Sequence, residues 1–343
     1  LMIIRSKAPL RIGLAGGGTD VSPYSDEYGG SILNATIDKY AYASIIPRKD
    51  GKIVLHAMDR KERFEMDSLA RLPINGELDL LRGVYNRIVK DFNHNAPLSF
   101  ELKTYVDAPP GSGLGSSSTL VVAIVGAFTE WLKLPLGEYD IAHLAHDIER
   151  VDLGFAGGKQ DQYAATFGGF NFMEFHKDDK VIVNPLRIRN RYILELEFNI
   201  LSYYTGTSRL SSAIIEAQQD SVNKKKTKSI EAMHELKKQS FMMKEALLKG
   251  DINRIGDLLD YGWKFKKEMA AGISNKVIDD IYAEARKVGA TGGKISGAGG
   301  GGFMTFFCPG NTRYCVSDKL KEFGGDVYSI KFSKSGLTTW TIK

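Results

Sequence analysis

The sequence predicts an α+β protein built as two domains, residues 2–190 and 191–343. Three observations carry this reading. A chain of 343 residues is long enough for two separate cores. Strand patterns dominate its first half and helical ones the middle of its second. The order of strands, then helices, then strands lacks the regular alternation of a doubly wound sheet.

Alternating apolar residues predict strands over residues 3–12, 31–47 and 52–56. Leu81, Tyr85, Ile88 and Phe92 share one face of a helix over 78–92. A strand over 99–106 leads into the run 109–118, and the apolar stretch 119–128 is long enough for a buried helix. A helix over 141–151, a hairpin of 170–175 with 181–184, and a strand over 195–204 follow. Met233, Leu236, Ser240, Met243 and Leu247 then recur at helical spacing within 231–248, with Gly250 as the stop. Residues 251–259, 276–288 and 314–323 read as helices, and 294–296, 303–307 and 327–332 as strands. Lys224, Lys225, Lys226 and Lys228 stand among Ser and Asn, which predicts an exposed flexible loop near 220–229.

Hydrophobic residues make up 43% of the chain and charged ones 25%, the balance of an ordinary globule, which excludes general disorder. A net charge of +5 suits acidic small molecules but is too weak and too dispersed for a nucleic-acid surface. Cys308 and Cys315 form no Cys-x-x-Cys pair, and no long apolar span is present. A cytoplasmic protein that inserts in no membrane is expected. Nothing in the sequence fixes an oligomeric state.

Pro109-Pro110-Gly111-Ser112-Gly113-Leu114-Gly115-Ser116-Ser117-Ser118 carries the most chemistry. Glycines let a backbone approach an anion, and the N–H groups of a helix start point at it. The serines offer hydroxyls to phosphate or magnesium. The run is not a Walker loop, because Gly115 is followed by Ser116 rather than Lys. It is not a dinucleotide fingerprint either, because the third glycine is missing. A plain glycine turn with a serine helix cap is the alternative.

Two further glycine-rich runs accompany it, Ala8-Pro9-Leu10-Arg11-Ile12-Gly13-Leu14-Ala15-Gly16-Gly17-Gly18-Thr19-Asp20 and Gly292-Gly293-Lys294-Ile295-Ser296-Gly297-Ala298-Gly299-Gly300-Gly301-Gly302-Phe303-Met304. In order and spacing the three resemble the signatures of the GHMP small-molecule kinases, over residues 4–307. The resemblance implies an N-terminal ribosomal-protein-S5-like domain and a ferredoxin-like C-terminal domain, with ATP and Mg2+ in the cleft. Pro110 through Ser118 would hold ATP. Ser116, Ser117 and Glu149 would hold the metal, although Glu149 by periodicity alone is an exposed helix charge. Asp161, in Gly157-Gly158-Lys159-Gln160-Asp161-Gln162-Tyr163, would be the base beside the acceptor hydroxyl, or alternatively a helix N-cap. Arg11 would stabilise transition-state charge.

Gly17, Gly18, Thr19 and Asp20 match the acceptor-binding end of the first signature. Gly17 and Gly18 stand where galactose kinases carry Glu-His, which argues against galactose. The segments around Asp20 and Asp161 resemble the sugar-1-kinase branch, which includes heptose 7-phosphate kinases and fucokinase-like enzymes. This implies ATP-dependent phosphorylation of the anomeric hydroxyl of D-glycero-D-manno-heptose 7-phosphate for nucleotide-heptose synthesis. Fucose as acceptor, or a non-catalytic nucleotide-binding protein, is the alternative. Lys159 and Arg209 are candidates for the substrate's own phosphate, with an exposed surface arginine as the alternative for Arg209. Gly299 and Gly300 would either touch substrate or support the nucleotide loop. His143 and His146 lack the spacing of a zinc-protease motif and are set aside.

Overall fold

The computed structural model describes residues 2–207 and 211–343. Strand β1 (Ile3–Ala15) pairs antiparallel with β2 (Gly30–Pro47), and a short helix α1 (Tyr24–Tyr28) fills the connection. β3 (Lys52–Ala57) and β4 (Glu62–Asp67) form a hairpin. After α2 (Asp79–Phe92), β5 (Phe100–Val106) enters parallel to β3 and antiparallel to β2. Helices α3 (Ser116–Leu132) and α4 (Glu138–Asp147) follow, and a π-helical turn, Ile148–Asp152, prolongs α4. Helix α5 (Gln160–Phe167) precedes the hairpin β6 (Phe170–Phe175) and β7 (Val181–Pro185), with β6 along the first half of β2.

Helix α6 (Asn190–Asn199) runs directly into β8 (Ile200–Tyr204). Helices α7 (Ser211–Asn223), α8 (Thr227–Lys249), α9 (Arg254–Met269) and α10 (Lys276–Lys287) come next. β9 (Gly292–Ile295), β10 (Phe303–Phe307), α11 (Arg313–Lys321), β11 (Asp326–Ser329) and β12 (Thr338–Ile342) complete the chain. One sheet has eight strands, ordered β12-β1-β2-β5-β3-β4 with β6 and β7 branching from β2. The other has four antiparallel strands, ordered β11-β8-β10-β9. Among the described residues no helix is long and apolar enough to cross a membrane.

The two-domain α+β arrangement is thus the observed one. Helix α3 lies at the centre of the large core, with every residue from Val121 to Phe128 buried, as expected of a helix that is apolar all round. Phe128 meets Phe100 of β5 edge-on, with ring centroids 5.3 Å apart.

Four elements differ from expectation. A strand was expected over 195–204, yet the first half is helix α6. Leu196 turns inward, while Leu194 and Phe198, four residues apart, share the exposed face. Helix α7 lacks a clear periodic signal in the sequence. It and α8 replace the flexible loop expected near 220–229, with only Lys224–Lys226 left as a turn between them. β4 has the burial alternation of an edge strand, exposed at every second residue. Finally, β12 lies beside β1, so the end of the chain belongs to the large sheet rather than to the four-stranded one.

Candidate active site

The end of β1, the loop before α3, the start of α5 and the β9–β10 loop converge on one cavity of about 460 Å³. At its floor the guanidinium of Arg11 grips Asp161: Nε and Nη2 each lie 2.6 Å from Oδ1. Nη1 donates to the carbonyl of Gly113 at 2.7 Å, and the backbone N–H of Arg11 donates to Leu114. Arg11 is 4% exposed, so this charge-assisted contact is held in a desolvated setting. Both guanidinium bonds fall on Oδ1. The other oxygen, Oδ2, faces Gly115 of the nucleotide loop, where a Cβ would lie 3.2 Å away.

Asp161 does not cap its own helix. Asp20 does that from across the cavity, its Oδ2 accepting the N–H groups of Lys159 and Gln160 at 2.9 and 3.0 Å. Gly158 makes the approach possible, since a Cβ there would lie 2.0 Å from Asp20 Oδ2. Burial pushes the Asp20 carboxyl up from its ordinary range. The Gln160 hydrogen bond opposes this, and the nearby charge of Asp161 adds to it. The first glycine signature therefore aims α5, and with it the proposed base.

The glycine-serine loop before α3, the expected nucleotide loop, presents Gly111, Gly113, Gly115, Ser116, Ser117 and Ser118 to the cavity. Pro110, Ser112 and Leu114 do not line it: Leu114 is in the core, and the carbonyl of Ser112 accepts from Phe303 of β10. Glu149 sits on the π-helical turn, buried, with Oε2 accepting from Gln162 at 2.6 Å. Gln162 also reaches the Ser118 hydroxyl at 3.2 Å, so Glu149 and the start of α3 are coupled. The third glycine run packs on this loop backbone to backbone. A Cβ on Gly297 would lie 2.7 Å from Gly113 Cα, and one on Gly113 would lie 2.4 Å from the Ser296 carbonyl.

Models of the GHMP kinases N terminal domain and C terminal region match residues 79–169 and 243–326. D-glycero-alpha-D-manno-heptose 7-phosphate kinase of Campylobacter jejuni is 49% identical over 339 residues, 99% of either chain. The chain belongs to the GHMP kinases. A crystal structure of a D-glycero-D-manno-heptose 1-phosphate kinase from Bacteroides thetaiotaomicron superposes with a TM-score of 0.84 at 45% identity, covering 99% of both chains. The bifunctional fucokinase/GDP-fucose pyrophosphorylase of Arabidopsis thaliana is more distant, 29% identical over 86% of this chain and 29% of that protein.

Within this GHMP kinase, several expected contacts fall elsewhere. Thr19 does not face the cavity: its hydroxyl bonds the Gly16 and Ser31 carbonyls and closes the turn after β1. The Lys159 ammonium pairs with Asp179 at 2.7 Å and Asp26 at 3.4 Å, so it is not available to substrate in the cavity. Gly17, Gly18, Asp20 and Gly299 line the cavity, whereas the Gly300 N–H is bonded to Ile273. Arg209 lies outside the described residues. The cluster of His143, His146 and Asp147 on α4 also lies off the cavity.

Among the cavity residues with no assigned role from the sequence are Lys266 of α9 and Lys294 of β9. Both are buried, and burial pushes both ammoniums below the ordinary lysine value, Lys266 to about 8. Lys266 was not marked in the sequence, because its setting depends on how α9 packs. It shares the buried stripe of α9 with Leu259, Trp263 and Met269, and a lysine on such a stripe needs a reason. Lys294 stood inside the third glycine run. Helix α7 adds Ser212, Ile215, Glu216 and Gln218 to the cavity wall, and its weak periodicity hides them in the sequence.

Proposed function

We propose that this GHMP kinase transfers the γ-phosphoryl group of ATP to the anomeric hydroxyl of D-glycero-D-manno-heptose 7-phosphate, giving the 1,7-bisphosphate and ADP. The observation that carries the reading is the position of Asp161. Its carboxylate stands between the nucleotide loop at Gly115 and the acceptor side of the cavity, gripped by Arg11. A hydroxyl placed there gives its proton to Asp161 as its oxygen bonds the γ-phosphorus and the bond to the β-phosphate oxygen breaks. Arg11 meets the charge that spreads over the transferring group. The substrate follows the Campylobacter jejuni relative, whose name specifies the 7-phosphate, and the Bacteroides protein's name also specifies a heptose phosphate kinase.

Magnesium fits the oxygens at the loop. Ser116 and Ser117 line the cavity with Glu149, whose carboxylate completes an all-oxygen set of the kind hard cations take. When bound, the ion neutralises charge on the β- and γ-phosphates. Glu149→Gln should therefore raise the magnesium concentration needed for half-maximal rate by several-fold, while the acceptor KM stays near its wild-type value. A magnesium titration that overlays the wild type would remove Glu149 from this role.

The deciding experiment is a coupled ADP-release assay. Its panel of acceptors is heptose 7-phosphate, heptose 1-phosphate, free heptose, fucose, galactose and mevalonate. The reading expects the 7-phosphate to give the highest kcat/KM and the product to carry phosphate at C1. Turnover led by fucose or mevalonate would replace it, and ATP binding without turnover of any acceptor would favour a non-catalytic protein. The product supplies an anomeric phosphate of the kind a nucleotidyltransferase consumes.

A further inference from the structure

Lys266 and Lys294 reach the cavity from opposite elements, helix α9 and strand β9, and their ammoniums meet over Gly17. A Cβ on Gly17 would lie 3.7 Å from Lys294 Nζ and 3.8 Å from Lys266 Nζ. Lys294 donates to the Gly13 carbonyl at 2.9 Å, and among the described residues Lys266 has no hydrogen-bond partner. Neither forms an ion pair with a carboxylate among these residues. The opposite charge that acts on Lys266 is Asp20, whose Oδ2 is already committed to two backbone N–H groups. Lys294 instead feels only the cations Lys266 and Arg11.

Two desolvated like charges side by side, with no carboxylate between them, are unfavourable in the unliganded protein. Such an arrangement calls for an anion of more than one charge. The transferring phosphoryl is not the natural occupant, because the nucleotide loop meets the cavity at Gly113 and Gly115, beside Arg11 and Asp161. The lysines lie further along the chain from Arg11, at Gly13 and Gly17. Arg11 and Gly13 are two residues apart on one strand face, roughly 7 Å. A sugar bound with its reacting hydroxyl at Asp161 and its other end toward Gly17 would reach the lysines.

We propose that Lys266 and Lys294 form the seat for the acceptor's own phosphate, and that they set the preference for a phosphorylated over a free sugar. This rests on the reading of the acceptor as a sugar phosphate. It also replaces Lys159 in that role, whose ammonium is spent on Asp26 and Asp179. Ser212, Glu216 and Gln218 of α7 line the same cavity, and the Gln218 amide already donates to the Gly18 carbonyl at 2.7 Å.

The test uses Lys266→Met and Lys294→Met, which keep chain length and remove charge. The kcat/KM of each is measured for heptose 7-phosphate and for free heptose. The proposal expects the ratio of the two to fall at least tenfold in each variant, through a higher KM for the 7-phosphate, while the ATP KM stays within about twofold. A parallel fall for both acceptors, or an unchanged ratio, would overturn it.

A second measurement keeps the proposal separate from the choice of sugar. With a non-hydrolysable ATP analogue saturating the nucleotide loop, inorganic phosphate should raise the melting temperature of the wild type and of neither variant. If heptose 7-phosphate proves not to be a substrate, the function proposed above falls. The lysine seat then stands or falls on whether that phosphate response is lost in the variants.

Discussion

At the residue scale the proposed chemistry rests on one carboxylate held by one guanidinium. Asp161→Asn keeps the shape and loses the proton acceptor. It should lower kcat by about 10²–10⁴-fold with little change in ATP KM, since the proposed ATP site is the loop before α3. Steady-state kinetics on both substrates check this, and near wild-type kcat would leave Asp161 as a structural partner of Arg11. Asp161 and Arg11 were candidates from the sequence because each sits in a distinctive run of residues. Lys266 was not, because a lysine in Lys264-Phe265-Lys266-Lys267 looks like one of several solvated charges until the buried face of α9 is known.

Lys266 also makes a prediction about stability. Its folded value of about 8 lies below the ordinary 10.5, because burial strips water from the ammonium and the Arg11 charge adds to this, with Asp20 opposing. Between those two values the unfolded chain holds a proton that the folded protein has released. The unfolded state thus binds more protons, and stability rises with pH across this window. Below about pH 8 the cost of the buried charge is present in full. Lys266→Met should therefore be more stable than the unliganded wild type below pH 8, and the difference should shrink toward pH 10.5. Every tenfold loss of proton affinity on folding corresponds to about 1.4 kcal/mol. Urea unfolding of the two proteins across that range measures it, and a constant difference would count against the assignment.

At the element scale the short helix α5 has its N-terminal N–H groups held by a residue far away in sequence. Asp20→Ala removes the acceptor for the Lys159 and Gln160 N–H groups, and Asp20→Asn keeps one. Hydrogen bonds to a charged group are worth about 1.5–3 kcal/mol, so the alanine variant should lose more melting temperature than the asparagine one. The same variants should lower kcat more than they raise ATP KM, because the displaced group is the proposed base. Equal kcat values in wild type and Asp20→Ala would show that α5 is aimed by other contacts. A sequence reading could place Asp20 at the acceptor end. It could not show the hydrogen bonds, because pairing Asp20 with Lys159 requires β1 and α5 to be packed together first. Helices α6 and α7 were hidden for a related reason. Each buries few side chains, so tertiary packing rather than apolar periodicity defines it.

At the scale of the whole molecule the proposed nucleotide loop of one sheet's domain is braced by the glycine run between β9 and β10 of the other. The fold class and most strands were legible from alternation. The backbone contact of Gly113 with Ser296 and Gly297 was not, because a run of glycines looks the same whether it touches ligand or another main chain. The geometry favours the second role at Gly297, where φ is +70° and a Cβ would lie 2.7 Å from Gly113 Cα. Gly297→Ala should push the two loops apart and raise ATP KM by tenfold or more, with a smaller effect on acceptor KM. Gly324→Ala is the control. Its φ of +80° imposes similar backbone strain, but no atom lies within 4 Å of the added Cβ and the residue is remote from the cavity. If both variants lose stability and only Gly297→Ala loses ATP affinity, close packing of the two loops is what shapes the nucleotide site. If Gly297→Ala binds ATP as the wild type does, the third glycine run serves the acceptor side instead, through Gly299.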